Sequence, residues 1–247
     1  MKSICIIGQG NVATHLCVAF AGNVDELYNI NSRTLEDLPL DAELYIISVA
    51  DEAIAEVAVR LPELSGVVAH TSGSTSIDVL DCVKGRRGVF YPLMTFSKDA
   101  DVDYQKIPVF IEGSDASAVD ILRDAASLFT DKIVEMDSER RMKMHVASVF
   151  ACNFVNALWQ VSFDLLGAED VPFKYILPLI DASAAKLHHL TPREAQTGPA
   201  RRGDLAVVEK HEKLLADQPQ LQKIYCELTQ LIIEQANDKT IEENVGD

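Results

Sequence analysis

A chain of 247 residues, 48% hydrophobic and 24% charged, is long enough for one large or two modest globular domains, each with its own core. Its 38 acidic against 22 basic residues leave a net charge of −16, which repels phosphate backbones and anionic lipid and argues against nucleic-acid and membrane-surface roles. Any anionic cofactor must therefore be held by a local basic spot.

The chain opens on a short apolar, β-branched run, Ser3-Ile4-Cys5-Ile6-Ile7, that leads directly into Gly8-Gln9-Gly10-Asn11-Val12-Ala13. This predicts a buried parallel strand, a tight glycine turn and an apolar helix over residues 12–21. Gly8 lets the chain leave the strand, Gly10 has no Cβ to hold a pyrophosphate away from the backbone, and Ala13 lets the helix lie close on the sheet. The free N–H groups of the helix start, near Asn11 and Val12, would face the phosphates. A glycine turn without a ligand is the alternative. A strand starting within three residues leaves no room for a leader peptide, and Cys5, Cys17, Cys82, Cys152 and Cys226 are scattered, odd in number and without metal spacing. The expectation is a cytoplasmic chain with reduced thiols and no metal. The adjacent His188 and His189 point about 100° apart on a helix and fit a surface pair better than a ligand pair.

The second strand, 26–30, ends at Asn31-Ser32-Arg33-Thr34. A carboxylate at this strand end would accept from the ribose 2′-hydroxyl of NAD; the hydroxyls of Ser32 and Thr34 around the Arg33 guanidinium instead suit a 2′-phosphate, so NADP is preferred over a polar turn without a role. A third strand, 44–49, breaks at Ala50-Asp51 into a helix over 52–61. A fourth, 66–70, ends in Thr71-Ser72-Gly73-Ser74-Thr75 before a helix at 77–83. Ligands of such sheets bind at the carboxyl ends of the strands, which places Val49, Ala50, His70, Thr71 and Ser72 along the nicotinamide crevice. His70 also fits a hydrogen-bonded structural role. Strands at 88–91, 108–112 and 132–135 and a helix at 116–129 complete a mostly parallel, doubly wound α/β sheet. Tyr91, Met94 and Thr95, at and after the fifth strand, are candidate substrate contacts.

From Ser138 onward the pattern is helical only: 138–166, 172–190, 204–216 and 221–236. A domain boundary near Asp137 thus separates a dinucleotide-binding domain, 1–137, from an all-helical substrate and dimerisation domain, 138–247, whose acidic end, 237–247, is expected to fray. The helix from Ser138 is apolar nearly all round, but His145, Asn153, Asn156, Gln160 and Asp164 argue against a membrane span. At 100° per residue His145, Ser148, Cys152 and Asn156 fall within about 80° of one another, giving a buried helix one polar stripe for a ligand cleft or another polar surface. The segment Thr197-Gly198-Pro199-Ala200-Arg201-Arg202-Gly203-Asp204 concentrates positive charge in an acidic half, with Asp204 placed as a helix N-cap. It is either a capped loop or a loop that closes over an anion, which makes Thr197, Gly198, Arg202 and Asp204 candidate substrate contacts.

With these residues in hand, the sequence resembles the Rossmann-like NADP oxidoreductases of the β-hydroxyacid dehydrogenase and pyrroline-5-carboxylate reductase kind. More narrowly it resembles a bacterial branch often labelled deazaflavin-dependent NADP oxidoreductase, which carries a helical domain of unknown function. The narrow likeness rests on residues 91–96, 145–153 and 197–204. The resemblance implies an asparagine on the long helix at the reacting carbon, Asn153 here, and a lysine four residues before it, where Val149 stands instead. The missing lysine counts against hydroxyacid dehydrogenase chemistry by that route. The expected function is NADP(H)-dependent hydride transfer to or from a small metabolite by a homodimer. His145 would be the proton donor or acceptor, because imidazole titrates near neutral pH, and Asn153 would orient the substrate. The alternative is a non-catalytic NADP-binding sensor or scaffold, in which both residues only satisfy buried backbone groups.

Overall fold

The computed structural model describes residues 1–238. Tertiary contacts divide the chain into two compact units, Met1–Ala157 and a second from Leu158 onward. The first unit is built on a seven-stranded sheet of order β2-β1-β3-β4-β5-β6-β7, with β1 Ser3–Ile7, β2 Glu26–Ile30, β3 Leu44–Ile47, β4 Val67–His70, β5 Arg87–Pro92, β6 Val109–Gly113 and β7 Ile133–Glu135. All neighbours are parallel except β5 and β6, which run antiparallel with Tyr91 opposite Phe110. The doubly wound, mostly parallel α/β fold is as the alternation of strands and helices predicts.

The strands can be apolar throughout because both faces are covered. Ile4, Ile6, Leu44, Ile46, Val67 and Ala69 point to the side packed by α1 (Asn11–Phe20) and α3 (Ala116–Ser127). Cys5, Ile7, Tyr45, Ile47 and Val68 point to the side packed by α2 (Ile54–Arg60) and a 3₁₀ turn, Ile77–Leu80. Only that single turn forms where a helix over 77–83 is predicted. The chain leaves β1 for β2 on one side and returns to β3 on the other, so the first glycine turn opens into the crevice where the winding reverses.

One helical stretch runs from Ser138 to Gly167: α4 (Ser138–Ser148), a π-helical segment (Val149–Phe154) and α5 (Val155–Gly167). By length and composition it could cross a membrane, with a mean hydropathy of 1.3 over its most apolar window. The expectation of a buried helix fails for the single chain, because Phe150, Phe154, Trp159 and Phe163 are all exposed. The second unit continues with α6 (Leu177–Lys186), α7 (Pro192–Ala195), α8 (Pro199–Arg202), α9 (Leu205–Leu214) and α10 (Pro219–Asn237). There α8 packs on α9 and α10 around the buried Ala200, Val208 and Leu215. Asn237 ends α10, and the rest of the segment expected to fray, beyond Asp238, lies outside the described residues.

Candidate functional site

The glycine turn is a consequence of close approach. Gly8 has φ 145°, and a Cβ there would stand 2.0 Å from the Ser48 carbonyl oxygen, so only glycine lets β1 and the end of β3 lie this close. The turn is pinned by Gly8 N–H donating to Ile30 O at 2.9 Å and by Asn29 Nδ2 donating to Gly8 O at 2.8 Å. Gly10 is the N-cap of α1 and makes no side-chain cap bond, and a Cβ built on it would meet only open space. The orphan N–H groups of the first helical turn, together with the positive end of the helix dipole, therefore face a cavity of about 600 Å³. Gln9, Gly10, Asn11, Val12, Asn31, Ser32, Arg33, Ser48, Val49, Ala50 and Thr71 line it. Eight of the residues singled out above thus meet at one place: Gly10, Asn11, Val12, Ser32, Arg33, Val49, Ala50 and Thr71. Gln9, Asn31 and Ser48 join them without having been singled out.

The turn after β2 is held locally by Arg33 N–H donating to Asn31 Oδ1 at 2.9 Å and Leu35 N–H donating to Asn31 O at 2.9 Å. Thr34 lies outside the cavity lining, its hydroxyl accepting from Glu36 N–H at 3.4 Å. From α2, Arg60 donates to the carbonyls of Ser32 and Arg33.

At the end of β4 the structure supports the structural reading of His70 and moves Ser72 off the cavity wall. His70 is fully buried; its Nδ1 accepts from Ser72 N–H at 3.1 Å and its Nε2 faces Ser76 O at 3.3 Å, leaving no ring nitrogen for a substrate. Burial, helped by the nearby Arg141 charge, pushes its pKa down to about 4, so the ring is neutral at pH 7. Ser72 also turns inward, its oxygen accepting from Ser74 N–H at 3.1 Å and Thr75 N–H at 3.0 Å, and it organises the turn instead of lining the cavity. The residue in that turn with the closest approach is Gly73. A Cβ there would lie 2.6 Å from Tyr91 Cζ and 2.8 Å from His145 Nδ1.

Tyr91 and His145 form a pair, with the phenol oxygen 3.2 Å from Nδ1 and the rings edge to face at 6.2 Å between centroids. Burial first, and then the charge of Asp51, raise the Tyr91 pKa above its ordinary value, which keeps the phenol protonated and able to donate. Asp51 follows the cavity-lining Ala50 and accepts from Ser74 Oγ at 2.5 Å, so the turn beside the pair is tied to the cavity rim. One helical turn before His145 on α4 stands Arg141, whose side chain is 1% exposed. Arg141 ion-pairs with Glu112 on β6 and donates to Thr75 O at 2.6 Å and Ser138 Oγ at 3.0 Å. Ser138 Oγ in turn donates to Glu112 at 2.7 Å. No sequence signal marked Arg141, because an arginine beside Glu139, Arg140 and Lys143 reads as a solvated face.

The polar stripe predicted on the long helix does not survive intact. It assumes 100° per residue, whereas residues 149–154 are π-helical, and the smaller rotation per residue carries Cys152 and Asn156 away from the register of His145 while bringing Asn153 toward it. Ser148 bonds back to Met144 O at 2.8 Å, and Asn153 is exposed on the π-helical segment. Met94 and Thr95 are exposed in the stretch after β5, which is tied to α1 by Asn11 Nδ2 donating to Phe96 O at 3.0 Å and by His15, stacked on Phe96 and 2.8 Å from Ser97 O.

In the second unit, the segment expected to be a loop contains the one-turn α8. Gly198 (φ 107°) and Gly203 (φ 70°) flank it in conformations that favour glycine, and Asp204 caps α9 by accepting from Val207 N–H at 3.3 Å. Thr197 O accepts from Gln196 Nε2, and Arg201 and Arg202 are exposed. Among the described residues no cluster of His, Cys, Asp or Glu could hold a metal ion.

No curated protein matches this sequence. Among solved structures, a Bacteroides fragilis protein provisionally named an NADP oxidoreductase is 36% identical, with a TM-score of 0.86 over 94% of this chain and 98% of that one. A Thermotoga maritima protein is 22% identical (TM-score 0.75; 94% and 98% covered). The reductive aminase from Aspergillus terreus, solved with NADPH and ethyl levulinate, is 14% identical (TM-score 0.68; 95% and 93% covered) and shares the fold. Residues 107–232 match the model of the domain of unknown function DUF2520, and with this domain behind a Rossmann-like N-terminal half the chain belongs to the DUF2520 family.

Proposed function

We propose that the protein is an NADP(H)-dependent oxidoreductase that passes hydride between the nicotinamide and a carbonyl, imine or second coenzyme of small-metabolite size. The observation that carries this is the cavity at the reversal of the winding, where an uncapped helix N-terminus, a glycine that leaves room for a pyrophosphate, and the Ser32–Arg33 strand end meet. The residues fit the group. Gly8 to Val12 would hold the pyrophosphate, Arg33 and Ser32 the 2′-phosphate, and Val49, Ala50 and Thr71 would flank the nicotinamide side. The names of the Bacteroides fragilis protein and the Aspergillus terreus complex point the same way.

A bound dinucleotide would supply the hydride, and the chain's own residues the proton. The Tyr91–His145 pair can relay one: the phenol donates to a neutral Nδ1, or accepts from a protonated one. Asn153 orients the substrate, and the exposed Arg202 beside Thr197 and Gly198 is a cationic group offered to an anionic one. The exposed apolar side chains of residues 146–190, among them Phe150, Phe163, Leu179 and Leu187, are covered by a second copy in a homodimer.

Fluorescence titration of the purified chain should give tighter binding of NADPH than of NADH by about 10- to 150-fold, the worth of a charge-assisted bond, and Arg33→Ala should remove most of that preference. A turnover screen with NADPH against keto acids, cyclic imines and deazaflavin should then find a substrate whose reduction falls about 10²–10⁴-fold in His145→Ala. Equal affinity for the two nucleotides would refute the cofactor assignment, and wild-type turnover in His145→Ala would refute the proton relay.

A further inference from the structure

Arg60 ends α2, whose Val57 and Ala58 are buried against the sheet, so its point of emergence is fixed by packing. From there its guanidinium reaches the end of a different strand, where Nη1 donates to Ser32 O at 3.1 Å and Nη2 to Arg33 O at 2.6 Å. These are adjacent carbonyls of the turn that would receive the 2′-phosphate. The same turn contains Leu35 at φ 55°, a conformation that costs free energy in a residue with a side chain, so the grip of Arg60 adds to the local bonds from Asn31 that hold it. Ser32 and Arg33 line the cavity; Arg60 does not. Neither Arg33 nor Arg60 is ion-paired among the described residues, although the chain carries 38 acidic residues against 22 basic ones. A phosphate monoester carries about 1.5–2 negative charges at pH 7, which two arginines free of ion pairs are suited to meet, although Glu36 and Asp37 follow in the same turn.

We infer that Arg60 is a positioning residue that sets cofactor specificity: by gripping the carbonyls of Ser32 and Arg33 it holds Arg33 in the conformation that receives a 2′-phosphate. The inference rests on the NADP assignment proposed above. A planar fork spanning two neighbouring carbonyls is a task for which lysine, a single point charge, is a poor substitute.

The test is calorimetric titration of the full chain with NADPH and NADH, using wild type, Arg33→Ala, Arg60→Ala, Arg60→Lys and the Arg33→Ala/Arg60→Ala double variant. Thermal unfolding of each variant checks that the fold is kept. Arg60→Ala should bind NADPH about 10-fold more weakly and NADH within about twofold of wild type, and Arg60→Lys should recover little of the loss. The double variant should bind NADPH no more weakly than Arg33→Ala alone, because Arg60 acts through Arg33. A wild-type NADPH:NADH ratio in Arg60→Ala, or losses that add in the double variant, would overturn the inference while leaving the NADP assignment standing. Equal affinities in the wild-type protein would overturn both, so the wild-type ratio tells the two failures apart.

Discussion

Acidification from pH 7 to pH 5 should cost the protein about 2 kcal/mol of stability through one side chain, His70. The ring is fully buried at the end of β4 and accepts from Ser72 N–H through Nδ1, which requires Nδ1 to be unprotonated and places the neutral ring's proton on Nε2, toward Ser76 O. Its pKa is lowered from 6.5 to about 4, by burial first and then by the charge of Arg141, against smaller pulls from Ser76 and Asp51. The unfolded chain therefore takes up this proton as pH falls through 6.5, while the folded chain resists until about 4. The contribution is fully present above the unfolded value and lost progressively toward the folded one. Between 6.5 and 5 the gap is about 1.5 pH units, or about 2 kcal/mol, which in a chain of this size is about 4–8 °C in Tm. Urea unfolding of wild type and His70→Asn at pH 7, 6 and 5 measures it. The variant keeps an acceptor for Ser72 N–H but does not titrate, and the remaining histidines cancel in the difference. The stability gap between the two proteins should narrow by about 2 kcal/mol from pH 7 to pH 5. A gap that does not change would refute the assignment of His70 as a neutral structural anchor of the turn that sets Gly73 against Tyr91 and His145.

Three other outcomes follow from the geometry. Gly73→Ala puts a methyl group 2.6 Å from Tyr91 Cζ and 2.8 Å from His145 Nδ1, so it should separate the pair and abolish turnover while NADPH titration stays at the wild-type affinity. Arg141→Ala leaves Glu112, 16% exposed, without its partner and should destabilise the fold by about 3–5 kcal/mol in urea unfolding, whereas Glu112→Gln with Arg141 retained tests the same pair from the other side. Sedimentation at micromolar concentration, without detergent, should show a dimer, and Phe150→Glu with Phe163→Glu should shift it to a monomer; a wild-type monomer would refute the apolar interface.

Much of the first unit can be read from short stretches of sequence because the physics there is local. The run Ser3–Ile7 followed by Gly8 and Gly10 specifies a buried strand and a turn that a side chain would block, and Asn31 to Arg33 carries its own hydrogen bond from Arg33 N–H to Asn31 Oδ1. The alternation of such segments is enough for a doubly wound sheet and for a crevice where its winding reverses. The antiparallel β6 was not legible, since the strand pattern of residues 108–112 is the same in either direction and only its pairing with β5 decides. Periodicity also failed at residues 149–154, where a π-helical turn changes the rotation per residue and with it the face on which Asn153 lies. The chemistry of the site depended most on tertiary structure. His145 meets Tyr91 across 54 residues, Arg141 meets Glu112 across 29, and Arg60 grips carbonyls 27 and 28 residues away. A strand or a turn is determined by sterics within a few residues, whereas these encounters depend on where whole helices come to rest on the sheet, which no local pattern encodes.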